Sequence, residues 1–300
     1  MNPILAAIIS NIIYGCSFYV TKVANQASDN SFYRVVGWRF LVAVAFLSLL
    51  ILLRVFKVNY KGKKLLPLFM LSLLSPSIYF FTEAVALSYV SSSFVGIMIG
   101  IVPIVVAILM RIIFKEIITK KQTVFMIISI LGVVVINLFV SGSSQITFKG
   151  GVLLLISMLS LSLFNVYIKK ASKEFSAIEI TYFMMICGAI EFNVADVFLN
   201  GFSTVIQSAS NLNFVGSIIF LGILTSYGGT LLINYALTKA PSTHISVLNN
   251  ITTMVSILCG VLFLKESFTV PQMVGCAMIV AGTVGFSMSK RVKNRAGSVT

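Results

Sequence analysis

The chain has 300 residues, of which 58% are hydrophobic and only 10% charged, with a mean hydropathy of +1.03. A soluble domain of this size carries about a quarter of its residues as charges, so the composition argues against a globular enzyme and for an all-α membrane protein with many spans. The net charge of +14 sits at the ends of apolar runs and reads as a topology signal, not as a nucleic-acid footprint. The runs are continuous and do not alternate, which sets a membrane β-barrel aside.

Ten segments meet the length of about 20 apolar residues that a spanning helix needs. They fall near 3–24, 34–54, 65–88, 91–114, 121–141, 149–169, 178–199, 213–238, 243–264 and 271–289. The first is too long, and lacks the basic flank, for a cleavable leader. Ala240-Pro241-Ser242 is the sole punctuation between the eighth and ninth, and Pro241 with Ser242 reads as a stop followed by a new N-cap. The four cysteines lie inside apolar runs without a CxxC pair, as small packed residues do. If the N-terminus is inside, seventeen Lys and Arg residues fall on inner connections and four (Lys22, Arg34, Lys149, Lys265) on outer ones. That bias predicts cytoplasmic termini and a cell-membrane (inner or plasma membrane) location.

The chain also echoes itself. Lys115-Glu116 with Thr119 and Gln122 returns 150 residues later as Lys265-Glu266 with Thr269 and Gln272. A Thr three residues before a Gln is the capping-box pattern, so Glu116, Thr119, Gln122, Glu266, Thr269 and Gln272 read as helix-capping groups. At the same offset Ser92 meets Ser242 and Gly132 meets Gly282. The expectation is two repeats of five helices, residues 1–144 and 145–290, with a cytoplasmic tail at 291–300. An odd number of spans per repeat inverts the second copy, and inverted repeats are a known basis for alternating access. Pro76 interrupts the third segment, Gly228 and Gly229 the matching part of the eighth, and Pro103 the fourth. Paired interruptions point to gating or hinge positions around a central site.

Ionisable groups deep in a bilayer are costly and mark function by default. Arg39 and Glu83 fall at similar depth in the second and third segments, as a helix-locking ion pair or as joint binders of an amphoteric solute. Glu191 lies past the middle of the seventh, while Glu179 and Asp196 sit near segment ends and read as surface or capping groups. Tyr14, Trp38, Tyr79, Asn165, Tyr227 and Asn234 complete the candidate substrate-binding set; Tyr79 and Glu83, four apart, share a helix face. No metal-ligand spacing, glycine-rich phosphate loop or catalytic triad pattern occurs, so no cofactor and no enzyme activity are expected.

Several stretches in order carry a family resemblance: Tyr14-Gly15 with Lys22, Arg39-Phe40, Glu83-Ala84 through Ala86-Leu87 and Tyr89 to Ser93, then Pro103 and Lys115-Glu116. The second half adds Ala236-Leu237, Pro241 and Leu264-Lys265-Glu266 through Gln272, Gly275 and Gly282. Over residues 3–289 the chain resembles the EamA-type members of the drug/metabolite transporter superfamily. The resemblance implies ten helices, cytoplasmic termini, a central solute cavity and export or exchange of small metabolites such as amino acids. Separately, Glu83 within its span is a candidate proton site, which makes protons a candidate coupling ion. Two departures stand out: Tyr14 replaces a usual Trp, and Thr252-Thr253 replaces a proline in the ninth segment. The alternative reading is a non-transporting scaffold or lipid-handling protein of the same fold.

Overall fold

The structure, a computed structural model, describes residues 1–28, 31–86, 89–90, 92–138, 147–201, 210–264 and 269–289, the side chains of 92–97, 137–138 and 264 excepted. Small polar residues start several of its helices. Asn2 accepts the Ile4 N–H at 2.9 Å ahead of α1 (Pro3–Gln26), where the Pro3 ring costs nothing because that N–H would lack a partner anyway. Ser31 caps α2 (Phe32–Leu52). The next helices are α3 (Leu66–Ala86), α4 (Ser92–Phe114) and α5 (Lys120–Leu138). Thr147 caps α6 (Phe148–Ala171), and a Ser176–Glu179 capping box opens α7 (Ala177–Asn200). Asn211 caps α8 (Leu212–Lys239). Helix α9 comprises Ser242–Leu248 and Asn250–Leu264, and α10 is Val270–Met288.

Among the described residues there is no strand. Among the described residues eight helices, α1–α3 and α6–α10, are long and apolar enough to cross a membrane, and Met98–Phe114 within α4 is a shorter apolar stretch. The protein is a multi-pass membrane protein. Its outer faces are apolar, as on α7, where Ile190, Val194 and Phe198 are exposed in one stripe. Residues 91 and 139–141, assigned from sequence to the fourth and fifth segments, lie outside the described residues.

Two helices change winding midway. Leu73–Ile78 in α3 spans a kink between two helical stretches, and Leu221–Gly229 in α8 is π-helical. The first holds Pro76, with Ser75 extended at φ −147° and ψ 122° and a cis Ser75–Pro76 peptide bond. The second holds Gly228 and Gly229. A kink or a wider turn leaves carbonyls that side chains can use. Ser160 Oγ donates to the Leu74 carbonyl at 2.7 Å, and Ser10 Oγ to that of Gly229 at 2.8 Å.

The bounds of α4 and α9, and those of α5 and α10, coincide at an offset of 150 residues. Helices α5 and α10 also touch backbone to backbone. A Cβ on Gly132 would lie 2.6 Å from the Gly275 carbonyl and 2.9 Å from the Ile279 nitrogen; one on Gly282 would lie 2.5 Å from the Ser129 nitrogen and 2.7 Å from the Phe125 carbonyl. Numbers rise along one helix as they fall along the other, so the pair is antiparallel. Shifted by 150, each of these contacts becomes the other. Small residues allow this closeness, and in lipid such close packing is a main source of helix association.

Candidate functional site

The polar groups of α1, α2, α3 and α8 converge in one cluster. Arg39 projects from α2 and is 8% exposed. Its Nε donates to Ser226 Oγ at 2.8 Å, and its guanidinium lies 5.7 Å from the Phe40 ring centre and 5.9 Å from that of Phe80. On α3 the Tyr79 hydroxyl donates to Glu83 Oε1 at 3.3 Å, the contact that their four-residue spacing anticipates. The Tyr14 hydroxyl and Thr230 Oγ1 are 3.0 Å apart, beside Gly229, where a Cβ would approach the Tyr14 ring to 3.1 Å. Tyr14, Tyr79 and Glu83 all lie within electrostatic reach of the guanidinium.

Arg39 and Glu83 do not touch: the ion pairs of the described residues within 4.0 Å do not include them. Each charge is instead held by a neutral hydroxyl, Ser226 for one and Tyr79 for the other. The static helix-locking pair, one of two readings left open by the sequence, is absent from this arrangement. Ser226 and Thr230 went unnoticed in the sequence. Their only signal is their place beside the Gly228-Gly229 interruption already singled out, Ser226 two positions before it and Thr230 directly after it.

The other candidates scatter. Trp38 leans edge-on against Phe214 at 6.2 Å, its buried Nε1 without a hydrogen-bond partner. Tyr227 meets Phe46 at 5.3 Å. Asn234 Nδ2 donates to Thr181 Oγ1 at 2.9 Å and joins α8 to α7. Asn165 is buried with Nδ2 unpartnered, while its carbonyl accepts from Ser242 Oγ. Pro103 lies inside the continuous α4.

At the start of α5, the Thr119 N–H donates to Gln122 Oε1 at 3.0 Å and the Gln122 N–H to Thr119 Oγ1 at 3.1 Å. At the start of α10, the Thr269 N–H donates to Gln272 Oε1 at 2.9 Å. Glu116 caps no helix here; its carboxylate pairs with Lys169 Nζ at 3.1 Å, because the chain turns between α4 and α5 and brings it to the end of α6. Glu266 lies outside the described residues.

Of the two other acidic groups read as surface or capping residues, Asp196 departs from that reading and Glu179 keeps the capping role. Asp196 is 1% exposed, accepting from Arg34 Nε at 3.2 Å, Ser31 Oγ at 2.9 Å and Asn200 Nδ2 at 2.6 Å. Glu179 closes a capping box and also binds the α2–α3 connection, through Lys63 Nζ at 2.9 Å and the Asn59 N–H at 3.0 Å. A cavity of about 230 Å³ lies apart from the Arg39 cluster, between Tyr33, Ser77, Phe81 and Glu191. Among the described residues no group of three or more His, Cys, Asp or Glu side chains is arranged to hold a metal ion.

The model of the EamA-like transporter family matches this chain over residues 1–138 and 148–288. The chain belongs to the EamA-like transporter family. This EamA-family protein is 30% identical, over 97% of its length and 94% of the relative's, to the uncharacterized transporter YcxC of Bacillus subtilis. It is 29% identical to an uncharacterized transporter of Archaeoglobus fulgidus, over 83% of its own chain and 86% of the other. One solved crystal structure shares the fold with a TM-score of 0.81 at 12% identity, covering 95% of this chain and 98% of that one. Membership in the drug/metabolite transporter superfamily makes the protein a membrane transporter of small solutes, and the family and its relatives point away from an enzyme.

Proposed function

We propose that this EamA-family protein is a secondary transporter that exports or exchanges a small metabolite bearing both an amine and a carboxylate, an amino acid being the simplest case. The observation that carries the reading is the separation of Arg39 from Glu83, each held by a neutral hydroxyl within one polar cluster. A carboxylate on the solute displaces Ser226 from Arg39, whose fork suits a carboxylate, and an amine displaces the Tyr79 hydroxyl from Glu83. Tyr14 closes the cluster from α1. Trp38, Asn165, Tyr227 and Asn234 support the surrounding walls and do not contact the solute first.

The proposed architecture is ten spans in two inverted five-helix repeats, residues 1–144 and 145–290, with the 291–300 tail and both termini in the cytoplasm of a cell-membrane protein. Support comes from the antiparallel α5–α10 contact, whose glycines repeat at an offset of 150. Alternating access then uses Pro76, Gly228 and Gly229 as hinges, since a kink interrupts α3 and a π-helical turn interrupts α8 there, with Pro103 as a secondary bend. Protons are the proposed coupling ion, acting at Glu83.

The test is amino-acid counterflow into proteoliposomes of the purified protein. Glu83→Gln and Arg39→Gln are expected to abolish counterflow while melting temperatures stay close to wild type. Normal counterflow by Glu83→Gln at several pH values removes both the binding and the coupling roles. A wild-type protein with no counterflow of any amino acid sinks this substrate class.

A further inference from the structure

A charged side chain normally turns away from lipid, toward the bundle interior or a water-filled space. Glu191 does not. It is exposed on α7, on the same stripe as Ile190 and Val194, whose apolar side chains mark the lipid-facing surface. It lies nine residues before Asn200, the end of the helix, which at 1.5 Å per residue is about 14 Å along the axis. Its carboxylate accepts a short hydrogen bond from Ser77 Oγ, beside the Pro76 break in α3. Among the described residues no Lys, Arg or His lies within 4.0 Å of it. A membrane-depth carboxylate is thus left with one hydroxyl and no counter-charge.

The carboxylate borders the cavity of about 230 Å³ between α2, α3 and α7. The walls are aromatic. Tyr33 stacks on Phe192 at 6.4 Å and tilts against Phe81 at 6.3 Å, and Phe81 is half exposed at the rim. Ring faces carry partial negative charge and attract cations, most strongly where water is excluded; cages of such rings recognise quaternary ammonium ions. A carboxylate and aromatic faces around one small cavity share one complement: an ammonium ion on an apolar body.

We propose that Glu191, Tyr33, Phe81 and Phe192 form a lateral binding site for a lipophilic ammonium compound that arrives through the hydrocarbon layer. The site is separate from the Arg39–Glu83 cluster and does not depend on the role assigned to it. The depth of Glu191 excludes a phospholipid headgroup held at the membrane surface. The apolar opening admits the body of the ligand, while Glu191 and the rings hold its cationic end. Ser77 orients the carboxylate toward the cavity and links the site to the interrupted part of α3.

The test uses full-length protein in dodecyl maltoside and radiolabelled benzyltrimethylammonium, a permanent cation that neither donates nor loses a proton. Binding is read by equilibrium dialysis against empty micelles. Wild type is expected to bind the cation saturably, and neopentylbenzene, its uncharged carbon isostere, is expected to compete about tenfold less well or worse. Glu191→Gln is expected to lose about tenfold or more in affinity, and Phe81→Leu, which keeps apolar bulk but removes a ring, about threefold. Both positions are exposed, and circular dichroism melting checks that the variants fold. Equal competition by neopentylbenzene, unchanged binding by Glu191→Gln, or no saturable binding by wild type overturns the proposal. So does binding that survives Glu191→Gln but vanishes in Glu83→Gln, which would place the cation in the other cluster. Displacement by dihexanoylphosphatidylcholine as effective as by the unlabelled cation would assign the site to lipid headgroups and overturn the proposed source.

Discussion

At the scale of single residues, the charges inside this bundle fall into three kinds. Arg34 and Asp196 form a sealed ion pair, 2% and 1% exposed, with Ser31 and Asn200 donating to the carboxylate's other oxygen. Arg39 and Glu83 are close but unpaired. Glu191 faces outward with a lone hydroxyl partner. Removing one member of a buried pair strands the other, at a cost of about 3–5 kcal/mol. Asp196→Ala is therefore expected to lower stability by that amount in a reversible denaturation assay, whereas Glu174→Ala, at an exposed turn, is expected to stay within about 0.5 kcal/mol of wild type. Sequence reading located Arg39 and Glu83 because an ionisable group in an apolar run is conspicuous. It misjudged Asp196 because depth near a helix end cannot be read from a count of residues; Ser31 and Arg34 reach it from the start of α2, distant in sequence, and Asn200 from its own helix.

At the scale of elements, winding and close packing divide the labour. The kink of α3 and the π-helical part of α8 contain the interruptions visible in the sequence, Pro76 and Gly228-Gly229, since missing donors and missing side chains leave a clear trace. The seam of α5 and α10 left only a repeated glycine, with no indication that it touched its counterpart. Adding a methyl there forces backbones apart. Gly282→Ala is expected to destabilise by about 1–3 kcal/mol, while Gly216→Ala, where a Cβ meets nothing within 4 Å, is expected to be neutral or to stabilise by up to about 1 kcal/mol. Parallel denaturation curves of the two variants decide the matter. In α8, Gly228→Ala places its Cβ at an ordinary 3.4 Å from the Ile223 carbonyl. It is expected to keep the melting temperature but slow counterflow, because it stiffens a proposed hinge; an unchanged transport rate would remove Gly228 from that role.

At the scale of the whole molecule, the family was legible because its signature is spread along the chain as order and spacing, and the family model indeed matches on both sides of residues 139–147. The positions of the apolar helices were legible for a similar reason: each requires a run of about 20 residues, too long to arise by accident. The partners of each polar group were not, since they depend on which helices meet. Orientation rests on the basic residues, seventeen against four. Reporter fusions at Lys63 and Lys173 are expected to read cytoplasmic, and fusions at Lys149 and Asn211 external, as the positive-inside bias requires. The opposite pattern would invert the proposed topology.

The α5–α10 seam has a consequence in time. The two helices that touch most closely begin 150 residues apart in the chain. At an elongation rate of about 5–20 residues per second, roughly 8–30 s separate the synthesis of one from that of the other. Throughout that interval the face of Phe125, Ser129 and Gly132 stands in the bilayer without the surface it is shaped to meet. A nascent chain stalled before α10 therefore displays a groove that fits a copy of α10 from any other molecule, and the arrival of its own α10 is the event that closes it.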